Sequence, residues 1–379
     1  MNPKKDLGVY IHIPFCLRKC KYCDFLSFVS DEETMQKYVE SLCEEIRGFF
    51  QREKDYQVTT VYFGGGTPSI LKTEWTRKIM DTLKEAAFMD PAAEISTEAN
   101  PGTLTKEKLN IYRECGINRL SIGLQSTQEK ELNYLGRIHS YEQFLESYEI
   151  ARKAGFNNIN VDLMSAVPYQ TIESYEETLS RILALKPEHI SAYSLIVEEG
   201  TPFFEDDKLE SLIPDEDTER KMYEMTEEIL IKQGYGRYEV SNYSLPGREC
   251  KHNILYWKRG DYIGFGLGAA SCIGETRFKN TDDMKFYLKQ PWRELFDRDE
   301  VEKLPIEEQM AEEMILGLRM VNGVSKNDFL KRYGMSLDDV YKDVIEKHTK
   351  SGLLVEENGR IRFTKKGFDL SNMVLCDFI

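Results

Sequence analysis

Six apolar, strand-like segments recur through the first two-thirds of the chain, and helix-like segments separate them. The strand-like segments are Leu7–Ile13, Val58–Phe63, Glu94–Ala99, Arg119–Leu124, Asn158–Met164 and His189–Leu195. The intervening helix-like segments include Glu33–Phe50, Thr73–Ala87, Lys106–Glu114 and Tyr141–Ala154. Strands that alternate with helices predict a parallel sheet, and the even spacing predicts an α/β fold built as a barrel or partial barrel.

Three cysteines follow the first of these strands with the spacing C-x3-C-x2-C, at Cys16, Cys20 and Cys23. Thiolates at such spacing in a tight loop are typical ligands of a [4Fe–4S] cluster, and three of them leave one iron open to a small molecule. The alternative is three ordinary buried cysteines. The other five cysteines have no ligand spacing with one another, and a chain of 379 residues with 8 cysteines does not resemble a disulfide framework. We therefore expect a reducing, cytoplasmic environment.

Further polar and glycine residues fall at or near the carboxyl ends of the predicted strands. The glycine run Gly64–Pro68 follows the second strand, Glu98 ends the third, Gln125 follows the fourth, and Arg137 and Asp162 come later. In parallel barrels the carboxyl ends of the strands meet at one rim, where ligands bind. Glycines allow the backbone to approach a ligand closely, carboxylates accept from amino and hydroxyl groups, and an arginine pairs with a carboxylate. The sequence thus predicts one ligand site at this rim.

Together these motifs resemble the radical S-adenosylmethionine (SAM) superfamily, and the resemblance runs from about Gly8 to the C-terminus. The closest resemblance is to the group that contains the oxygen-independent coproporphyrinogen III oxidases and the heme chaperones. The resemblance implies a TIM-like partial (β/α)6 barrel. It also implies that Cys16, Cys20 and Cys23 hold the cluster, and that the open iron binds the amino and carboxylate groups of SAM.

The same resemblance implies a set of SAM-contacting residues. Gly65, Gly66, Thr67 and Glu98 would contact the methionine end, Gln125 and Asp162 the ribose, Arg137 the carboxylate and Ile196 the adenine, while Tyr10 and Tyr22 would flank the site.

Three features favour the chaperone branch over the oxidases. Phe25 occupies the position two residues after the third cysteine, where the oxidases carry another cysteine. Only fifteen residues precede Cys16, whereas the oxidases carry a long N-terminal extension over the active site. The segment His252–Trp257 has the pattern HNxxYW, which resembles the chaperone branch.

The HNxxYW segment also has a chemistry suited to heme. His252 offers a neutral imidazole, a common axial ligand of heme iron, and Tyr256 and Trp257 offer flat faces for a porphyrin. Asn253 would orient the imidazole. On residue types alone a packed aromatic cluster around a hydrogen-bonded histidine is the more frequent outcome, and the resemblance favours heme.

A change in composition near Pro291–Pro305 predicts a domain boundary. We expect a barrel domain over residues 1–295, with the HNxxYW motif in an extension at about 235–280, and a second domain over residues 296–379. In the second domain the sequence predicts three helices, at Ile306–Val321, Lys326–Tyr333 and Leu337–Ser351. A hairpin with an Asn-Gly turn is predicted to follow over Gly352–Phe363. This order resembles a small winged-helix-like α+β module.

Charge argues against a nucleic-acid binder, since the net charge is −15 and the last 75 residues carry 11 Lys and Arg against 13 Asp and Glu. The first six residues are unlike a signal peptide, and no apolar run reaches the length of a membrane span. The function predicted is a heme chaperone that hands heme to an acceptor protein of unknown identity, with oligomer formation left open. The alternative is an oxygen-independent coproporphyrinogen III dehydrogenase. A winged-helix regulator that senses iron–sulfur status is disfavoured by charge.

Overall fold

Six parallel strands form the centre of the molecule. In this computed structural model, which describes residues 4–289 and 301–379, all six predicted strands are present. They are β1 Lys5–Ile13, β2 Tyr56–Gly65, β3 Phe88–Ala99, β4 Arg119–Gln125, β5 Ile159–Ser165 and β6 His189–Ser194. Each pairs in parallel with the next, in the order β1-β2-β3-β4-β5-β6. The predicted α/β partial barrel is confirmed, and all six strands point their carboxyl ends to one rim.

Helices cover the outer face of this sheet. They are α1 Glu32–Arg52, α2 Thr73–Ala86, α3 Lys106–Glu114, α4 Glu129–Leu135, α5 Tyr141–Lys153, α6 Ile172–Leu185 and α7 Glu216–Lys232. Side-chain caps begin several of them, for example Asp31 before α1 and Ser140 in a capping box before α5. The predicted helices agree with these bounds to within two residues. Gly116 and Gly155 follow α3 and α5 with φ of 88° and 87°, as a glycine C-cap requires.

The segment after α7 extends the sheet at both edges. It contains β7 Gly236–Arg237, β8 Asn242–Ser244, α8 Lys251–Trp257, β9 Tyr262–Phe265, β10 Ala270–Ile273, β11 Thr276–Lys279, α9 Met284–Lys289 and β12 Glu302–Lys303. The pair β8-β7 continues from β6, whereas β9 lies parallel to β1 on the opposite edge and is followed by antiparallel β10, β11 and β12. The place of β9 beside β1 was not predicted from the sequence.

The C-terminal region forms a second, smaller α+β unit with a core of its own. Its elements are α10 Ile306–Gly317, β13 Val324–Ser325, α11 Lys326–Tyr333, α12 Leu337–Lys350, β14 Leu354–Glu357, β15 Arg360–Phe363, α13 Lys365–Asp369 and α14 Ser371–Leu375. The three predicted helices and the hairpin around Asn358 are present, although the first helix ends at Gly317, four residues before the predicted end at Val321. The predicted boundary between residues 295 and 296 lies outside the described residues.

Ion pairs join the two units. Arg220 of α7 binds Asp369 of α13 with two nitrogen–oxygen distances of 2.7 and 3.0 Å. Glu312 of α10 accepts from Arg259, which follows α8, at 3.0 Å and also pairs with Arg277. The small unit therefore packs against the segment that carries the HNxxYW motif. Across residues 4–289 and 301–379, no helix has both the length and the apolar character needed to cross a membrane.

Candidate functional site

A cavity of about 320 Å³ opens at the carboxyl ends of the strands. It is lined by most residues that the sequence predicted for the site: Cys16, Cys20, Tyr22, Cys23, Gly65, Gly66, Thr67, Glu98, Gln125, Arg137, Asp162 and Asn253. These residues come from the loop after β1, from the end of β2 and the glycine run that follows it, from strands β3 to β5, from the loop after α4 and from helix α8. One rim therefore gathers them, as the strand order requires.

The cysteine loop is fixed by backbone hydrogen bonds to neighbouring segments. The Cys16 N–H donates to Phe28 at 3.0 Å, and the Lys21 N–H donates to Leu135 at 3.0 Å. The Cys16 thiol lies 3.4 Å from the Thr67 hydroxyl in the glycine run. All three thiols thus face the same cavity from a loop whose backbone is held in place.

The donor set fits a multinuclear cluster better than a single ion. Within the described part of the chain, no three His, Cys, Asp or Glu side chains converge to hold one metal ion. In a [4Fe–4S] cluster each thiolate binds a different iron, so the sulfurs need not converge. Burial raises the pKa of the Cys23 thiol to about 11, and iron would displace its proton. The three cysteines and the cavity beside them fit the cluster that the sequence predicted.

The glycine run allows two backbone segments to touch. A Cβ on Gly66 would lie 2.6 Å from the Phe15 carbonyl oxygen and 2.9 Å from that of Ile13. The Gly66 and Thr67 N–H groups donate to these same two carbonyls at 2.8 Å. Gly66 is therefore required to hold the glycine run against the start of the cysteine loop.

Arg137 lies between the cluster loop and the ends of the strands. Its Nη2 donates to Asn100 Oδ1 at 2.7 Å and to the Gly123 carbonyl, and its Nη1 lies 3.5 Å from Cys20 Sγ. Its Nε is buried without a hydrogen-bond acceptor in the described chain. A guanidinium with one unused donor beside the cysteines can bind an anionic group such as a carboxylate.

Two half-buried carboxyl groups, Glu98 and Asp162, line the same cavity. Burial, reinforced by the charge of Asp162, raises the pKa of Glu98 to about 8. Burial also raises the pKa of Asp162, against hydrogen bonds from Ser191 and Asn160. Because a nearby cation would reverse this effect, the pair favours a ligand that carries positive charge or hydrogen-bond donors.

The remaining predicted SAM residues lie at different distances from the cavity. Gln125 adopts a φ of 74°, a strained conformation for a residue with a side chain, and its Oε1 accepts from the Tyr193 hydroxyl at 2.9 Å. Tyr22 lines the cavity, whereas Tyr10 lies behind the glycine run, 3.0 Å from the position of a Cβ on Gly64. Ile196 does not line the cavity and is 68% exposed, so its contact with adenine stays a prediction.

Helix α8 places the HNxxYW histidine inside the protein. His252 is 1% exposed, with Nδ1 2.8 Å from Thr60 Oγ1 and Nε2 2.9 Å from Tyr256 Oη. Burial, with a contribution from the charge of Arg119, lowers the pKa of His252 to about 3, so the ring is neutral. Trp257 packs near Arg319, 5.8 Å from the guanidinium carbon to the ring centroid. This arrangement matches the packed aromatic cluster that residue types alone favoured.

Several cavity residues were missed from the sequence. They include Tyr62, Asn100, Arg119, Ser121, Asn160, Ser191, Tyr193 and Asn242. Many of them could have been predicted from the two-residue period of a β-strand. Arg119, Ser121 and Gly123 lie at two-residue steps before Gln125 on β4, and Asn160 lies two residues before Asp162 on β5. Every second residue of these strands points into the barrel.

Comparison with known proteins establishes the family. Residues 10–182 match the profile of the Radical SAM superfamily, and residues 304–370 match that of the HemN C-terminal domain. The heme chaperone HemW of Lactococcus lactis is 38% identical over 377 residues, which cover 99% of this chain and 98% of that relative. The chain belongs to the HemW family of radical SAM proteins. The HemW of Bacillus subtilis agrees, at 37% identity over 98% of this chain and 99% of the relative.

The HemW-family assignment is consistent with the fold of a solved relative. The coproporphyrinogen III oxidase HemN of Escherichia coli superimposes with a TM-score of 0.86 over 99% of this chain and 90% of that chain, at 24% identity. That likeness concerns the fold. The predicted radical SAM barrel and chaperone-branch resemblance are confirmed, and membership of the superfamily implies a [4Fe–4S] cluster and SAM as cofactors.

Proposed function

We propose that this chain binds heme and hands it to an acceptor protein, and that it carries a SAM-binding [4Fe–4S] cluster in the cavity. The observation that carries this proposal is the near full-length similarity to proteins named heme chaperone HemW, including 38% identity to that of Lactococcus lactis.

The cluster would be held by Cys16, Cys20 and Cys23, which line one cavity with Glu98 and Arg137. When bound, the cluster and SAM supply an open iron site and, on reduction, radical chemistry. In our proposal the unused donor of Arg137 binds the SAM carboxylate, and Glu98 accepts a hydrogen bond from the SAM amino group.

The other proposed SAM contacts are made mainly by residues that line the cavity. Gln125 and Asp162 accept from the ribose hydroxyls, and Gly65, Gly66 and Thr67 flank the methionine end. Tyr22 completes the wall, Tyr10 supports it from behind the glycine run, and Ile196 would reach the adenine from outside the cavity lining.

Heme would be bound by the HNxxYW segment, with His252 as the iron ligand and Asn253, Tyr256 and Trp257 beside it. The neutral state of His252 supports this role, because no proton competes with iron for its nitrogens. Both nitrogens are hydrogen-bonded within the protein, so ligation requires His252 to give up either Thr60 or Tyr256. We therefore propose that heme binding displaces part of helix α8.

An anaerobic heme titration of cluster-loaded protein tests this function. We expect saturable binding, with a visible spectrum that changes in His252→Ala and is unchanged in His348→Ala, a histidine of the small C-terminal unit. Saturable binding with an identical spectrum in both variants would remove His252 as the ligand but leave the chaperone function. No saturable binding by the wild-type protein would contradict the function itself.

A second function, oxidative decarboxylation of coproporphyrinogen propionates, is favoured by one observation. The cavity gathers Glu98, Gln125, Arg137 and Asp162 beside the cysteines, and these are the residues that we propose to bind SAM. A turnover assay with coproporphyrinogen III and a strong reductant separates the two functions. We expect no decarboxylated product, and product formation at a rate dependent on SAM would favour the enzyme.

A further inference from the structure

Arg119 is a buried cation without a hydrogen-bond or ion-pair partner in the described part of the chain. It begins β4 and is 2% exposed, and its side chain lines the cavity. Its Nε is fully buried without an acceptor, and no hydrogen bond or ion pair links the guanidinium to residues 4–289 or 301–379. A guanidinium stays charged at any physiological pH, and a buried charge normally has a hydrogen-bonded partner. The missing partner points to a ligand.

The nearby carboxylates do not supply that partner. Those whose charges act in this part of the barrel are Glu94, Glu98 and Asp162. Their oxygens accept from other groups: the His252 N–H at 3.3 Å for Glu94, the Tyr62 hydroxyl at 3.0 Å for Glu98 and the Asn160 amide at 2.7 Å for Asp162. None lies within ion-pair distance of Arg119, so a gap remains in front of the guanidinium.

Other unpaired polar groups line the same cavity. Asn242 Oδ1 is buried without a hydrogen-bond donor among the residues that the structure describes. Asn253 of helix α8 lines the cavity, and no described residue is hydrogen-bonded to its side-chain amide. A carboxylate bound to Arg119 would accept from the Asn253 amide, and its protonated form or a bound water would donate to Asn242. The cavity therefore offers donors of the kind that an anion with two oxygens requires.

We propose that Arg119 and Asn253 form a carboxylate subsite in the floor of the barrel, distinct from the SAM carboxylate contact at Arg137. The planar guanidinium binds the two carboxylate oxygens in parallel, the geometry that arginine favours. Two sources carry this chemistry: a small free carboxylate, and a propionate of heme bound on helix α8. The second source rests on the proposed heme-binding function, whereas the first does not.

The free-carboxylate arm measures thermal unfolding of the cluster-loaded protein in acetate and in chloride at equal pH and ionic strength. We expect a saturable rise in Tm with acetate that is absent in Arg119→Met and retained in Arg181→Met, an exposed arginine on α6. Without carboxylate, Arg119→Met should be at least as stable as the wild type, because it removes an unpaired buried charge. A Tm several degrees below the wild type would show that Arg119 already has a partner and would overturn the subsite.

The heme arm compares heme with its dimethyl ester, in which both propionates are blocked. We expect the wild type to bind heme at least tenfold more tightly than the ester, and Arg119→Met to lose this preference. The proposal is overturned if the wild type shows neither acetate stabilisation nor a preference for free propionates, a result that requires no variant. If the wild type binds no form of heme, the proposed function fails while the acetate arm still decides the subsite. Arg119→Lys is the second variant, because it keeps the charge but not the planar pair of donors. We expect it to fold and to show weaker stabilisation by acetate than the wild type, and undiminished stabilisation would contradict the paired contact.

Discussion

The ring of Tyr62 stacks on the imidazole of His252, with centroids 5.3 Å apart and planes inclined by 21°. The hydroxyl of the same tyrosine donates to Glu98 Oε1 at 3.0 Å. One side chain therefore contacts both the carboxyl group proposed for SAM and the histidine proposed for heme. A shift of either partner changes the packing of Tyr62, so the two proposed sites share a physical contact.

Tyr62→Phe should weaken SAM binding while leaving the fold intact. The variant keeps the ring stacked on His252 but removes a hydrogen bond that lowers the pKa of Glu98. We expect a loss of about 0.5–1.5 kcal/mol, the usual size of one hydrogen bond, in calorimetric titration of cluster-loaded protein with SAM. Tyr56→Phe is the control, because this buried tyrosine at the other end of β2 does not line the cavity. Equal affinity for SAM in Tyr62→Phe and the wild type would show that the hydroxyl has no role.

Cys20→Ala should abolish the visible absorbance of the cluster without unfolding the chain. Loss of one of three thiolates leaves a cluster with too few protein ligands. Absorbance spectra after anaerobic reconstitution, with circular dichroism as the measure of folding, test this. Cys376→Ala, an exposed cysteine at the end of the chain, should keep the full absorbance. A normal cluster spectrum in Cys20→Ala would remove this residue from the ligand set.

Arg137→Ala should weaken SAM binding by about 1.5–3 kcal/mol, the scale of a hydrogen bond to a charged group. The variant removes the donor proposed for the SAM carboxylate. Titration calorimetry measures the loss, and Arg77→Ala, an exposed arginine of α2, serves as control. Because Arg137 also lies 3.5 Å from Cys20 Sγ, iron content must be determined in the same samples. Unchanged affinity at full iron content would refute the contact.

Glu98 should make the SAM-free protein less stable as the pH rises. Its folded-state pKa of about 8 lies above the ordinary value of 4.5. Between these values the unfolded chain releases the proton and the folded protein keeps it, so the free energy of unfolding falls by up to about 1.4 kcal/mol per pH unit from this group. Below pH 4.5 Glu98 is protonated in both states and does not lower the free energy of unfolding. Above pH 8 it is ionised in both states, and the loss of stability is complete.

Glu98→Gln removes this titration and should gain stability over the wild type between pH 6 and 8.5. Urea unfolding of SAM-free protein at both pH values measures the free energy of unfolding of the variant relative to the wild type. The control Glu74→Gln changes an exposed glutamate on α2, and its small difference from the wild type should be the same at both pH values. A difference for Glu98→Gln that does not grow with pH would mean that the carboxyl is already ionised in the folded protein.

Periodicity and motif spacing predicted the barrel well, because they depend on local sequence. The helix Lys106–Glu114 was predicted with its observed bounds, since Thr105 caps it and Gly116 ends it. The three cysteines were selected as cluster ligands because cluster ligation requires a fixed spacing within one loop, and all three line the cavity. Gln125, the last residue of β4, and Asp162, within β5, line it as well.

Contacts between segments that are distant in the sequence could not be predicted from periodicity and motif spacing. The bond between Thr60 and His252 joins residues 192 positions apart, and nothing local marks Thr60 as its partner. The unpaired state of Arg119 is likewise a property of the folded barrel and not of its neighbours in sequence. The place of β9 beside β1 was missed because a parallel neighbour can come from any part of the chain.

That place of β9 has a consequence for the order of assembly. Strand β1, which leads into the cysteine loop, is bounded by β2 on one side and by Tyr262–Phe265 on the other. During synthesis the second neighbour emerges long after the cysteines, and closing so long a loop is slow. Iron delivered to the nascent chain would meet a cysteine loop with one side of its supporting strand still open. For the cluster that we propose here, we therefore expect insertion to follow the completion of most of the polypeptide.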